Sequence, residues 1–249
     1  MPVLIHIGKT GGSTIFELLK MYYPNIKQYH CHWERDYKPN EKHIIWIRNP
    51  ITRFVSAFNY SHHLVTYNCT NKKPQDINMS NCLYPPLIKQ KIKNNRTYSI
   101  GKTYDKLINF FKSANNLAEG LTSTDPDIKE KAIKLMNSKF EHIYKGTGWY
   151  LNNGKFVRNH NKSILFVGKQ ENMKEDIDKL SIVLNKQLNK NLKVRTNIYS
   201  SDESKYLSPL AIQNIIEFYK DSDYAALIEL KNHGWITDDV LASYYKYDL

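Results

Sequence analysis

Seven consecutive residues, Gly8-Lys9-Thr10-Gly11-Gly12-Ser13-Thr14, combine a cation, hydroxyls and a glycine pair in one short loop. Glycines let a backbone approach a ligand closely, and amides at a helix start, with the positive end of the helix dipole, favour an anion. A phosphate-like group suits such a loop. In a nucleoside-triphosphate loop the lysine follows the last glycine and precedes the Ser/Thr that holds magnesium; here Lys9 precedes both glycines. A second constellation is Arg48 with Ser56. A fork-shaped guanidinium and a hydroxyl together can hold a terminal phosphate. Arg53, on the same stretch, is open between a solvated helix residue and a ligand contact. The third is His30-Cys31-His32, whose imidazoles share one side of an extended segment. Taken alone they read as a pair of surface histidines or half of a metal site lacking partners.

These residues need elements to position them. Val3-Leu4-Ile5-His6-Ile7 is short and β-branched, as a buried parallel strand is, and Ile15, Leu18 and Leu19 repeat at helical spacing behind a Ser/Thr cap, predicting a helix to about Tyr23, before Pro24. His43–Ile47 predicts a second buried strand with Arg48 at its carboxyl end, where open α/β sheets bind ligands. Pro50 opens the next helix, with Ile51, Phe54, Val55 and Phe58 as its apolar stripe and Thr52 and Ser56 on another face. Ser163–Gly168 is a third strand, followed by a helix through Ile177, Leu180, Ile182, Val183 and Leu184. From His62 to about Arg96 the chain is polar without sustained periodicity; Tyr104–Leu117 and Asp127–Phe140 then read as amphipathic helices. The expected organisation is one domain over residues 1–249, with residues 62–140 a variable helical and loop insertion forming an acceptor site or lid.

The run Lys9-Thr10-Gly11-Gly12-Ser13-Thr14 resembles the 5′-phosphosulfate loop of sulfotransferases that use 3′-phosphoadenosine 5′-phosphosulfate (PAPS), particularly the carbohydrate group, where it commonly reads Pro-Lys-Thr-Gly-Gly-Thr/Ser. Gly8 stands where that group usually has Pro. Ile44–Phe58 resembles the family's 3′-phosphate motif of strand, Arg-x-Pro, Arg, then Ser on the following helix. Tyr29-His30-Cys31-His32 resembles the His-x-His of uronyl 2-O-sulfotransferases. Val167-Gly168-Lys169-Gln170-Glu171, Lys193–Asn197 and Leu207-Ser208-Pro209 are similar to its later elements, so the resemblance covers roughly residues 3–60 and, more loosely, 140–231. It implies an α/β, P-loop-like sulfotransferase fold whose central parallel sheet is flanked by helices. It also implies an enzyme that moves a sulfuryl group from PAPS to an acceptor hydroxyl, a glycan being favoured, and releases 3′-phosphoadenosine 5′-phosphate without a metal. Lys9 to Thr14 would hold the 5′-phosphosulfate, Lys9 also countering leaving-group charge. Arg48 and Ser56 would hold the 3′-phosphate, and His32, with His30 sharing or orienting, would be the base. Arg195 either closes over the nucleotide or belongs to a plain surface loop. His62 and His63 rank behind the His30/His32 pair because a solvated helix end explains them.

Across the 249 residues Lys and Arg outnumber Asp and Glu by 36 to 24, a formal charge of +12 that suits anionic partners. The basic residues are scattered and form no nucleic-acid-binding pattern, which ranks a noncatalytic binder of nucleic acid or acidic glycan below the enzyme. A P-loop-type kinase is the other alternative, and it would want a magnesium-holding carboxylate at a strand end. Cys31, Cys69 and Cys82 are too few for a disulfide scaffold, though Cys69 and Cys82 could pair in an oxidising compartment. With no apolar run of about 18 residues and a first strand starting at residue 2 or 3, no membrane partner is expected and a cytoplasmic setting is the default.

Overall fold

The computed structural model of the chain describes residues 2–29, 38, 40–66, 102–139, 142–189 and 203–247. Its centre is a four-stranded, all-parallel sheet in the order β2-β1-β3-β4, built from β1 (Pro2–Ile5), β2 (Lys27–Tyr29), β3 (Lys42–Ile47) and β4 (Ile164–Lys169). Alternation along the strands sorts the side chains onto two faces. Leu4, Ile44, Trp46 and Phe166 meet Ile15, Leu18 and Leu19 of α1 (Gly12–Lys20) and Ile177 and Leu180 downstream of β4 on one side. Ile5, Ile45, Ile47 and Val167 meet α2 (Pro50–Thr66) and the remaining helices on the other. The fold is thus α/β, with helices covering both faces, as an all-parallel sheet requires.

The helices follow their local signals, with three departures. Asn49 Oδ1 accepts from Ile51 N at 2.8 Å and so caps α2, with Pro50 first in the helix. The expected single helix over Tyr104–Leu117 is two, α3 (Lys102–Phe111) and α4 (Ala114–Gly120), because Lys112 adopts φ 55° and Ser113 accepts from Asn116 N to cap a new start. The helix expected over Asp127–Phe140 is α5 (Pro126–Met136), capped by Asp125. The first helix stops at Lys20, short of Tyr23, and its expected Ser/Thr cap is absent: the capping residue is Gly11, and Ser13 and Thr14 lie inside the first turn. Of the expected insertion, Tyr104, Leu107, Ile108, Leu117 and Leu135 join the same core cluster as Ile5 and Ile47.

Beyond these come α6 (Thr147–Tyr150), α7 (Lys155–His160), α8 (Met173–Leu184), α9 (Pro209–Tyr219), α10 (Ala225–Asn232) and α11 (Asp238–Ser243). Ser208 caps α9 by accepting from Ala211 N, with Pro209 first in the helix. Between α9 and α10 the backbone widens into a π-helical turn, Lys220–Tyr224, which carries Asp223 inward. No helix among the described residues is long and apolar enough to cross a membrane.

Asp223 is what Arg53 of α2 requires. Neither is solvated: their side chains are 0% and 1% exposed and Nε lies 3.3 Å from Oδ2. Arg53 Nη1 donates to His142 O at 2.7 Å, its guanidinium stacks 5.2 Å from the Tyr219 ring centre, and Asp223 Oδ1 accepts from Gly148 N at 2.9 Å. Burial alone would pull Arg53 down; Asp223, with Tyr219 and Tyr150, outweighs it and leaves the pKa above the ordinary arginine value. Arg53 is therefore a core residue tying α2 to the 142–148 segment. Gly146 and Gly148 follow from this packing, since a Cβ on Gly146 would strike the Asp223 carboxylate and one on Gly148 the Ser222 backbone. Asp223→Ala strands a buried guanidinium and should cost about 3–5 kcal/mol in urea unfolding, whereas the Arg53→Met/Asp223→Leu pair should cost clearly less.

Candidate functional site

In the order β2-β1-β3-β4 the chain leaves β1 toward one edge and, after β2, crosses back to β3 on the other. The switch point therefore lies between the carboxyl ends of β1 and β3, the place where such sheets leave a crevice. Ile5 pairs in register with Ile45, so the loop after β1 and Arg48 after β3 emerge side by side.

The loop is shaped by its own hydrogen bonds. Thr10 is fully buried and its Oγ1 donates to Ile7 O at 2.9 Å; Thr14 N donates to Gly11 O at 2.9 Å as α1 begins. Lys9 takes φ 69° and Gly11 φ 84°, both left-handed, a conformation that costs a non-glycine residue about 1–2 kcal/mol. The first turn of α1 receives no side-chain cap. Thr14 N is satisfied by Gly11 O rather than by a side chain, so the helix start beside the crevice is closed by backbone alone.

Arg48 closes the other side. Its Nη1 donates to Lys9 O at 3.2 Å and its Nε to Thr52 Oγ1 at 2.9 Å, so one guanidinium links the loop to the first turn of α2. The hydroxyl it holds is Thr52, one turn before Ser56, which is itself buried. Burial lowers the Arg48 pKa, Glu171 opposes that, and Arg53 adds to the lowering. Glu171 is in turn fixed: Oε1 accepts from Asn49 N at 2.9 Å and Oε2 from Tyr244 OH at 3.0 Å. Asn49 Nδ2 donates to Lys246 O at 3.0 Å, bringing the 243–247 segment against the same strand end.

Four neighbours of the loop have no local sequence signal. A Cβ on Gly12 would overlap the His6 imidazole, whose Nδ1 meets Gln28 Nε2. One on Gly11 would overlap Gln170, whose Oε1 is buried without a hydrogen-bond partner among the described residues. One on Gly8 would overlap the His142 imidazole, and His142 Nδ1 is likewise buried and unpartnered. Lys9 Nζ sits 4.1 Å from the Tyr60 ring centre, and the Tyr60 and His142 rings are 5.7 Å apart. Spacing could not reveal the Gln170, His142 and Tyr60 contacts, because each joins segments far apart in the chain; His6 lies only six residues before Gly12, and what places it there is the turn of the loop itself. The glycine spacing alone hints that something large packs on the loop.

Of the residues expected at the site, Lys9, Thr10, Gly11, Gly12, Ser13, Thr14 and Arg48 come together, and Ser56 lies on α2 behind Thr52. His30, His32, Arg195, Cys31, Cys69 and Cys82 lie outside the described residues. His62 and His63 are half-buried near the end of α2, and burial lowers both pKa values. Among the described residues no group of three His, Cys, Asp or Glu could hold a metal ion. Comparison with protein families, curated proteins and solved structures found no match.

The His142 imidazole is pushed down to about 3 by burial and then by Lys9, Arg53, His6 and Lys145. Its pKa is thus depressed in the folded chain from an unfolded value near 6.5. The neutral ring contributes stability in full above pH 6.5, and this is lost as pH falls toward about 3, because only the unfolded chain takes up the proton. Urea melts at pH 7.0 and about 5.2 should show the parent losing more stability on acidification than His142→Gln.

Proposed function

We propose that the chain is a sulfotransferase that takes a sulfuryl group from PAPS and delivers it to an acceptor hydroxyl, on a glycan by resemblance. The observation that carries this reading is the Arg48 Nη1 to Lys9 O bond, which joins the glycine loop to the arginine after β3 at the sheet's switch point. Two anionic ends of one ligand are what such a pairing suits, and a 3′,5′-bisphosphorylated adenosine has them. Arg48, with Thr52 and Ser56 along α2, would take the 3′-phosphate; the 8–14 loop, with no side-chain cap at its helix start, would take the 5′ end.

Chemically, the acceptor oxygen attacks sulfur in line as the bond from sulfur to the bridging phosphate oxygen breaks, and the nucleotide leaves with that electron pair. Lys9 and the loop amides would offset the charge growing on the leaving oxygens. The acceptor proton goes to a base, for which His32 is the choice by resemblance and His30, two residues earlier, its neighbour. The kinase alternative would want a magnesium-holding carboxylate at a strand end; Glu171, beyond β4, instead bonds Asn49 N and Tyr244 OH, bracing the start of α2.

Calorimetry should find 3′-phosphoadenosine 5′-phosphate bound far more tightly than AMP, ADP or ATP. Arg48→Ala should weaken the bisphosphate by about tenfold or more and barely change AMP, since one charge-assisted contact is worth about 1.5–3 kcal/mol. Equal affinities would overturn the reading. With radiolabelled PAPS and an acceptor panel, transfer should survive EDTA; strict magnesium rescue would favour the kinase. His32→Ala should cut turnover by about 100-fold or more at unchanged nucleotide affinity.

A further inference from the structure

Gly8 has no conformational reason to be glycine. Unlike Gly11, its φ is outside the left-handed region, so its backbone admits a side chain. What excludes one is His142, whose imidazole occupies the volume a Cβ would fill. The same residue is the point where the chain departs from the loop pattern it resembles, which has proline there. Departure and occupant explain each other: the space that a proline ring would take beside the loop is filled by a histidine from a segment over a hundred residues away.

The next residue, Lys9, is held at φ 69° with its carbonyl on Arg48. A strained non-glycine residue persists only where surroundings over-determine it. His142 is itself rigidly placed, with its carbonyl on buried Arg53 and its ring beside Tyr60, over which Lys9 Nζ lies. We propose that His142 is a positioning residue for the anion site: its imidazole, packed on Gly8, fixes the turn at Lys9 and so aims the Lys9 amine and the loop amides at one bound oxyanion. This rests on the reading that the 8–14 loop holds an anion, and not on which group is transferred. Its Nδ1, buried without a hydrogen-bond partner among the described residues, marks a side chain placed for shape rather than for a bond within the protein. Lys9, Arg53, His6 and Lys145 are the charged and titratable groups acting on the ring, and a bound anion offsets their field.

The test is a double-mutant cycle read by calorimetry with 3′-phosphoadenosine 5′-phosphate, with thermal melts to certify folding. Gly8→Ala should weaken binding by about tenfold or more, because the methyl expels the imidazole, and His142→Ala by a smaller factor of about three or more. The double variant should bind no worse than His142→Ala alone, the new methyl now occupying vacated space. In addition, the His142 ring resonances of the parent, assigned by their loss in His142→Gln, should shift when inorganic sulfate is added. Should Gly8→Ala fail to fold, refolding in the double variant combined with the sulfate-induced shift supports the proposal. Independent, additive losses, or His142 resonances unmoved by saturating sulfate, overturn it while leaving the anion reading standing. A parent chain that binds neither the bisphosphate nor sulfate overturns both.

Discussion

One guanidinium holds two strand ends in register. Arg48 follows β3 and reaches Lys9 O beyond β1, while its Nε is spent on Thr52 at the start of α2. Parallel strands side by side leave their carboxyl-end loops free to splay, and the crevice at a switch point has no backbone ladder across it. A charge-assisted bond at that point fixes the gap between the loop and α2. Glu171 and Asn49 then fix the helix that follows the arginine, through Asn49 N, Ile51 N and the 243–247 segment.

Two arginines five residues apart on one helix and its entry have opposite duties. Arg48 lies at the crevice, partly exposed, with its pKa lowered by burial; Arg53 is sealed with Asp223 and its pKa is raised. Both are cationic, and Arg53 lowers both Arg48 and His142. Asp223 neutralises Arg53 by a 3.3 Å ion pair, while Glu171, held on Asn49 N and Tyr244 OH, acts on Arg48 through its charge, so Arg48 and Lys9 are the cations beside the loop amides. Such a field favours an anion more than its individual members would in water.

The legible parts of this architecture were local. The apolar run before Gly8, the Pro50 start and the Ser208-Pro209 start each carry their signal within a few residues, and the structure has all three. The partner of Arg53 was not legible, because Asp223 is 170 residues away and its inward placement depends on a π-helical turn that no periodicity announces. Arg53 therefore read as surface or ligand contact when it is core. That Arg48 bonds Thr52 was not legible for a related reason: helix spacing puts Thr52 and Ser56 on one face but does not say how far the Arg48 side chain reaches. His6 and His142 escaped because what announces them is an absence of side chains at Gly12 and Gly8. A glycine can mean a backbone angle or a neighbour's volume, and only coordinates separate the two.

The tie between Asn49 and the 243–247 segment has a kinetic side. Asn49 Nδ2 bonds Lys246 O across 197 residues, and Tyr244 bonds Glu171 across 73. Contacts that close such long loops form after the local ones, since the chain entropy they remove must first be offset elsewhere. On a ribosome, β1, its glycine loop, Arg48 and α2 emerge long before residues 243–246 exist to brace them. A nascent chain thus carries the glycine loop early and the brace late, so the crevice reaches its final rigidity as one of the last events of folding.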